Sequence, residues 1–72
     1  MFELRAAISG TVVSVEVIEG QTVAELDDIL ALDSPQGPVI LASEVPGVVR
    51  ELYVERASIV GVGDLIALID ES

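Results

Sequence analysis

An internal repeat is the feature that most constrains this chain. When the sequence is shifted by 37 positions (47 − 10), residues 8–34 align without a gap on residues 45–71. Identical residues recur at seven positions: Gly10/Gly47, Val12/Val49, Val17/Val54, Val23/Val60, Asp27/Asp64, Ile29/Ile66 and Asp33/Asp70. Two copies are too few for a solenoid, which needs at least about three repeats. The repeat therefore predicts two similar halves that close around one core.

The periodicity inside each half is that of β-strands. Apolar residues alternate with polar ones at Val13, Val15 and Val17, and they recur at Val49, Leu52 and Val54 in the second half. Residues 29–32, 39–42 and 65–69 form short apolar runs whose lengths favour strands, and residues 22–28 allow a single helical turn at most. We predict an all-β fold of six to eight short antiparallel strands in a small sandwich or flattened barrel.

The length allows one domain, which we assign to residues 1–72, with halves of about 8–34 and 45–71 joined by a hairpin at 34–38. A domain of this size buries only about 60% of its unfolded surface, so its core must be rich in apolar residues. The chain is 51% hydrophobic but has only two aromatic residues, Phe2 and Tyr53. Val, Ile, Leu and Ala must therefore fill the core.

The charge balance narrows the class of partner. Thirteen acidic residues oppose Arg5, Arg50 and Arg56, which gives a formal net charge of −10 at pH 7. Nucleic acids and anionic membranes would repel such a surface, so protein partners are expected instead. The absence of cysteine is compatible with a reducing compartment, and no stretch approaches the roughly 18 apolar residues of a membrane span. We expect a cytoplasmic domain or a piece of a larger protein.

Ser34-Pro35-Gln36-Gly37 separates two apolar runs and has the residue order of a type I β-turn. Proline in the second position sets φ near the required value, while serine in the first and glycine in the fourth are typical of this turn. On the residues alone, this segment is a β-hairpin tip.

The arrangement resembles the biotinyl/lipoyl carrier family, whose domain consists of two pseudo-symmetric antiparallel half-sheets with a modified lysine on the hairpin that links them. Residues 5–12, Arg-Ala-Ala-Ile-Ser-Gly-Thr-Val, resemble the Arg-Ala-Pro-Met-x-Gly-Thr-Val entry of single-domain biotin carboxyl carrier proteins. The resemblance covers nearly the whole chain. It implies the barrel-sandwich hybrid fold and, by descent, a carrier of biotin or lipoate.

The same resemblance implies that the attachment position is inactive. Asp33 falls on the acidic residue three before the lysine, Gly47 falls on the glycine after the hairpin, and Gln36 falls on the lysine itself. Biotin carriers have methionine on both sides, whereas this chain has Pro35 and Gly37. Asp33, Ser34 and Gly47 are the expected hairpin support. No cofactor is expected on the chain as written.

Each half of the family typically has a Gly-Asp-x-Val-x-x-Gly bend, and here each half keeps one of the two glycines. Leu26 stands at the second glycine in the first half, and Ala57 stands at the first glycine in the second half. We expect the fold to tolerate both residues if these positions avoid positive φ.

Other candidate sites are weaker. Asp27 and Asp28 are adjacent, and neighbouring strand residues point to opposite faces, so we interpret the pair as a solvated turn rather than an acid/base or metal site. The chain has no histidine or lysine that could activate a serine. We therefore assign no catalytic and no metal-binding residue. Tyr53 is expected to face outward and to be partly buried beside an adjacent strand. Arg50 and Arg56 are expected to form surface ion pairs.

These observations predict a carrier homologue that cannot be modified, is not an enzyme and acts by docking to proteins, with carboxylase subunits as candidate partners. A structural or assembly module of the same fold is the alternative, and stable self-association would favour it. The loss of the lysine fits a natural paralogue or a deliberate replacement. A designed, lysine-free chain stays open as a third interpretation.

Overall fold

The computed structural model describes residues 1–71, which form eight β-strands. The strands are β1 (Phe2–Arg5), β2 (Gly10–Val15), β3 (Thr22–Val23), β4 (Asp28–Ser34), β5 (Gly37–Ala42), β6 (Gly47–Leu52), β7 (Ile59–Val60) and β8 (Leu65–Glu71). Residues 22–28 begin with β3 and continue into a turn at Glu25 and Leu26. Within residues 1–71 there is no helix long and apolar enough to cross a membrane.

Two four-stranded antiparallel sheets make up the fold. One sheet has the strand order β5-β4-β2-β7 and the other has the order β1-β8-β6-β3. The all-β prediction and the sandwich arrangement are confirmed. Neither sheet comes from one half of the sequence, because each combines two strands from the first half with two from the second. The halves are therefore interleaved, which lets both contribute to one core.

The repeat is visible strand by strand. Shifting β2, β3 and β4 by 37 positions gives the bounds of β6, β7 and β8, and β1 shifted in the same way falls within β5. Loop hydrogen bonds are duplicated too. The amide of Leu26 donates to the carbonyl of Ser43 at 2.7 Å, and the amide of Gly63 donates to the carbonyl of Ala6 at 2.8 Å. The structural repeat thus includes β1 and β5, which lie outside the matched sequence segments.

The core lies between the sheets and is aliphatic. Its buried residues are Leu4, Ala6, Val12, Val17, Val23, Ile29, Leu30, Leu32, Val49, Val60, Ile66, Ala67 and Ile69. The short runs 29–32 and 65–69 both contribute to it, as expected of strands with little solvent contact. Burial of these side chains is the main contribution to the stability of the fold.

A register shift in β2 changes the outward face of that strand. The pairing with β4 is irregular between Val12 and Ser14, so Val13 is an extra residue and 53% of its surface is exposed. The prediction that Val13 belongs to the buried alternation is wrong for this reason. The equivalent irregularity in β6 lies between Val49 and Glu51 and turns Arg50 outward.

The expectation about the lost glycines also needs correction. Leu26 has φ of 73° and Ala57 has φ of 77°, so both keep the left-handed conformation. Their counterparts in the other half are glycines, Gly63 with φ of 88° and Gly20 with φ of 92°. Both turns therefore have the same backbone geometry as their glycine-containing counterparts, although this conformation is strained for a residue with a side chain.

Candidate functional site

The hairpin between β4 and β5 has a two-residue tip. Pro35 and Gln36 are its two turn residues, and Ser34 pairs with Gly37 on the flanking strands. The side chain of Gln36 is exposed. Gly37 has φ of 117°, a conformation that side-chain-bearing residues rarely adopt. The hairpin therefore depends on glycine at Gly37 and presents Gln36 to solvent.

Ser34 ties the two sides of the hairpin together. Its hydroxyl donates a 2.6 Å hydrogen bond to the carbonyl oxygen of Gly37, and Ser34 itself is buried. A local side-chain bond of this kind is a common device for closing turns. The serine contributes to the shape of the tip and has no base beside it in this interaction.

Asp33 and Gly10 support the base of the hairpin. Asp33 is exposed and pairs with Thr11 on one side and Pro38 on the other. A Cβ atom on Gly10 would lie 2.6 Å from the carbonyl oxygen of Asp33, so only glycine allows this approach. Gly10 is a support residue that the sequence analysis did not assign to the site, although its identity with Gly47 in the repeat was a signal.

Gly47 makes the equivalent close approach in the second half, against β8. It pairs with Val23 and Glu71, and its backbone packs against the carbonyl of Asp70. The structure thus brings Asp33, Ser34 and the tip residues together, while Gly47 contacts β8.

A shallow cleft lies beside the hairpin. Its volume is about 460 Å³, and it is lined by Ser9, Gly10, Thr11, Asp33, Ser34, Pro35, Ile59 and Val60. Asp33 is its single ionisable residue, and the rest of the lining is apolar or hydroxyl-bearing. A cleft of this composition offers contact surface but no paired acid and base.

Several acidic and hydroxyl side chains elsewhere have structural partners. Asp27 accepts a 2.8 Å hydrogen bond from the amide of Ala24, and Asp64 accepts an identical bond from Gly61 in the second half. The Ser43 hydroxyl donates to the Val45 carbonyl at 2.6 Å. Across residues 1–71 there is no group of three or more potential metal-ligating side chains.

The outer surface of the β1-β8-β6-β3 sheet is charged. Arg50 pairs with Asp70 at 2.9 Å rather than with its neighbour Glu51, and Arg5 pairs with Glu3 at 2.7 Å. The hydroxyl of Tyr53 donates to the carboxylate of Glu51. This bond raises the pKa of Tyr53 above its ordinary value because it favours the neutral phenol, and desolvation and the charge of Glu51 add to the shift.

Comparison with protein families gives one match. Residues 3–69 match the family described as "Biotin-requiring enzyme". No match was found among curated protein sequences.

Solved structures show which proteins contain a similar fold. A single-chain, multi-domain long-chain acyl-CoA carboxylase matches with a TM-score of 0.91 and 25% identity, over 99% of this chain and 7% of that chain. The Kluyveromyces lactis urea carboxylase matches with a TM-score of 0.88 and 19% identity, over 96% of this chain and 6% of that chain. This chain therefore corresponds in length to a small part of either carboxylase.

A third similar structure is close in size. The lipoyl domain of the 2-oxoglutarate dehydrogenase complex from Azotobacter vinelandii matches with a TM-score of 0.74 and 23% identity. The match covers 92% of this chain and 82% of that domain. The fold of this chain is thus similar both to parts of carboxylases and to a lipoyl domain.

Proposed function

The chain belongs to the biotin/lipoyl family, and from this membership we propose that it is a carrier-type domain without an acceptor lysine, which acts by docking to other proteins. It is not itself an enzyme. Its contribution is a folded surface that occupies the place of a carrier, and it transfers no group.

The observation that carries this proposal is the identity of the residue at the hairpin tip. Gln36 is exposed between the two halves, where carriers of the type this chain resembles have their modified lysine. Attachment of biotin or lipoate needs a lysine amine that attacks an activated acyl group. A glutamine side-chain amide has no comparable lone pair, and the basic residues of this chain are Arg5, Arg50 and Arg56. The chain therefore has no side chain that a ligase can acylate.

Carboxylase subunits are the partners we propose. Support comes from the similarity to a multi-domain acyl-CoA carboxylase, which at 25% identity covers 99% of this chain. The biotin branch is further supported by residues 5–12, which resemble the entry segment of biotin carboxyl carrier proteins. A carrier-like domain without its cofactor would bind the same subunit surfaces but could not transfer a group between them.

Restoring the lysine tests the proposal. A Gln36→Lys variant is incubated with a biotin ligase and, separately, with a lipoyl ligase, and the intact mass is measured. We expect a biotin adduct, because the tip is exposed and the surrounding fold is that of the family. A lipoyl adduct would instead assign the chain to the other branch.

The matched control is a Gln21→Lys variant. Gln21 is also exposed and follows a turn, but it lies outside the hairpin. This lysine should stay unmodified. If neither variant is modified while both remain folded, or if both are modified equally, Gln36 does not occupy a carrier attachment position and the proposal is wrong.

A further inference from the structure

The outer face of the β5-β4-β2-β7 sheet is unusually apolar for a protein with a net charge of −10. We define the apolar face by Val13, Ala31, Pro38, Ile40 and Ile59. Ile40 pairs with Ala31, and the extra residue Val13 lies beside this pair on β2. The neighbouring row of paired residues runs across the four strands from Pro38 to Ile59. Exposure is 53% for Val13, 55% for Ile40 and 84% for Ile59.

The other half of the molecule provides an internal control for this face. Positions related by the repeat carry Arg50 in place of Val13, Glu3 in place of Ile40, and Thr22 in place of Ile59. On that sheet, Arg50 and Glu3 take part in exposed ion pairs of 2.9 Å and 2.7 Å. The same backbone thus accepts charged or polar residues at these positions, and the fold does not require the apolar side chains.

Two acidic residues border the apolar face and a third lies within it. Asp33 lies in the row between Thr11 and Pro38, Asp28 begins β4, and Glu16 follows β2, all three exposed. Two of the three arginines, Arg5 and Arg50, are paired on the opposite sheet. An apolar surface with an acidic rim is complementary to an apolar surface with a basic rim. A second copy of this chain fits poorly, since it brings another net charge of −10 and another Asp33.

We propose that the apolar face is the docking surface of this domain, and that its occupant is a protein whose contact surface is apolar at the centre and rich in lysine or arginine at the rim. This inference deepens the docking function proposed above by naming the surface and the chemistry of the partner. The shallow cleft beside the hairpin adjoins the face through Ile59, Thr11 and Asp33, so contact extends to the tip.

Three synthetic helical peptides of equal length test the inference. One combines leucine with lysine on opposite faces, the second replaces every leucine with serine at the same charge, and the third replaces every lysine with glutamate. Each is titrated into ¹⁵N-labelled protein and followed by NMR. The leucine–lysine peptide should bind and shift the amides of the apolar face, while the other two peptides should bind at least about tenfold more weakly.

A variant that copies the opposite sheet shows whether the face itself is responsible. The triple variant combines Val13→Arg, Ile40→Glu and Ile59→Thr, which leaves the net charge unchanged. Its affinity for the leucine–lysine peptide should be at least about tenfold lower. The control is Ile18→Thr with Val62→Thr, two positions that are each 71% exposed outside the face. This control should leave the affinity unchanged. If the triple variant does not fold, the single variants Ile59→Thr and Ile40→Glu replace it.

Several outcomes would overturn the inference. Equal binding of the serine–lysine peptide would mean that charge alone attracts the probe, and an unchanged affinity in the triple variant would exclude this face. Self-association of the unaltered protein in sedimentation experiments, if lost in the triple variant, would identify a second copy as the occupant. These results do not depend on the Gln36→Lys acylation test, so the two proposals fail separately.

Discussion

Leu26 and Ala57 show how a single residue can keep a backbone conformation that its own side chain disfavours. Each lies in the left-handed region, where residues other than glycine lose about 1–2 kcal/mol. A backbone hydrogen bond holds each in place: the Leu26 amide donates to Ser43 at 2.7 Å, and the Ala57 amide donates to Val12 at 2.8 Å. The turn geometry is thus imposed by its hydrogen bonds to neighbouring segments.

Glycine at these two positions should stabilise the protein. Ala57→Gly and Leu26→Gly remove the left-handed strain at the cost of greater freedom in the unfolded chain, so each should raise the free energy of unfolding by about 0.5–1 kcal/mol. Chemical denaturation measures the change. Ala24→Gly is the control, because Ala24 lacks positive φ and glycine there should destabilise by a similar amount. Loss of stability in both test variants would contradict the account.

The sequence showed that glycine is absent at these two positions, but it did not show that both positions keep a positive φ. A sequence pattern reports which residue is present, whereas φ here depends on loop hydrogen bonds to Ser43 and Val12, which are distant in sequence. The glycine counterparts Gly20 and Gly63 were the available signal.

At the level of strands, each half has one close backbone contact at the first residue of a strand, in β2 against β4 and in β6 against β8. Gly10 approaches the carbonyl of Asp33, and Gly47 approaches the carbonyl of Asp70 more closely still. Neither contact leaves room for a Cβ atom, and in both cases the obstacle is backbone rather than a movable side chain. This close approach between neighbouring strands therefore explains why both halves have glycine here.

Alanine at either glycine should push the neighbouring strands apart. Gly10→Ala and Gly47→Ala should each lower the free energy of unfolding by about 1–3 kcal/mol, with the larger loss at Gly47. Gly61→Ala is the matched control, since the nearest atom to its Cβ would be the Asp64 carboxylate at 3.7 Å, an ordinary contact. That variant should stay within about 0.5 kcal/mol of the parent. Thermal or denaturant unfolding of the three variants measures these changes, and equal effects in all three would contradict the explanation by close backbone approach.

Strand positions were easier to predict than strand faces. The repeat and the apolar runs located the central strands, because burial on one or both sides leaves a clear pattern. The face of Val13 was mistaken, since a bulge shifts the alternation by one residue. The alignment of Val13 with Arg50 already indicated an exposed position. Strand β1 was missed as a repeat unit although Leu4 is identical to Leu41, because Glu3 and Arg5 share no character with Ile40 and Ala42.

For the whole molecule, an ungapped repeat of 37 positions was enough to predict two related halves around one core. It could not show that the halves exchange strands between the sheets, because sheet order depends on contacts between strands that are distant in sequence. The position of Gln36 followed from resemblance and turn chemistry. The apolar face could not be predicted from the sequence, since Val13, Ile40 and Ile59 come together only through the register of four strands.

The central claim is that this carrier fold has a silent attachment site, and the intact mass of the unaltered protein tests it most directly. The protein is produced with active biotin and lipoyl ligases, alongside a lysine-bearing carrier that confirms both ligases are working. We predict the mass of the unmodified sequence under both conditions. A biotinyl or lipoyl adduct on the unaltered chain would contradict the account.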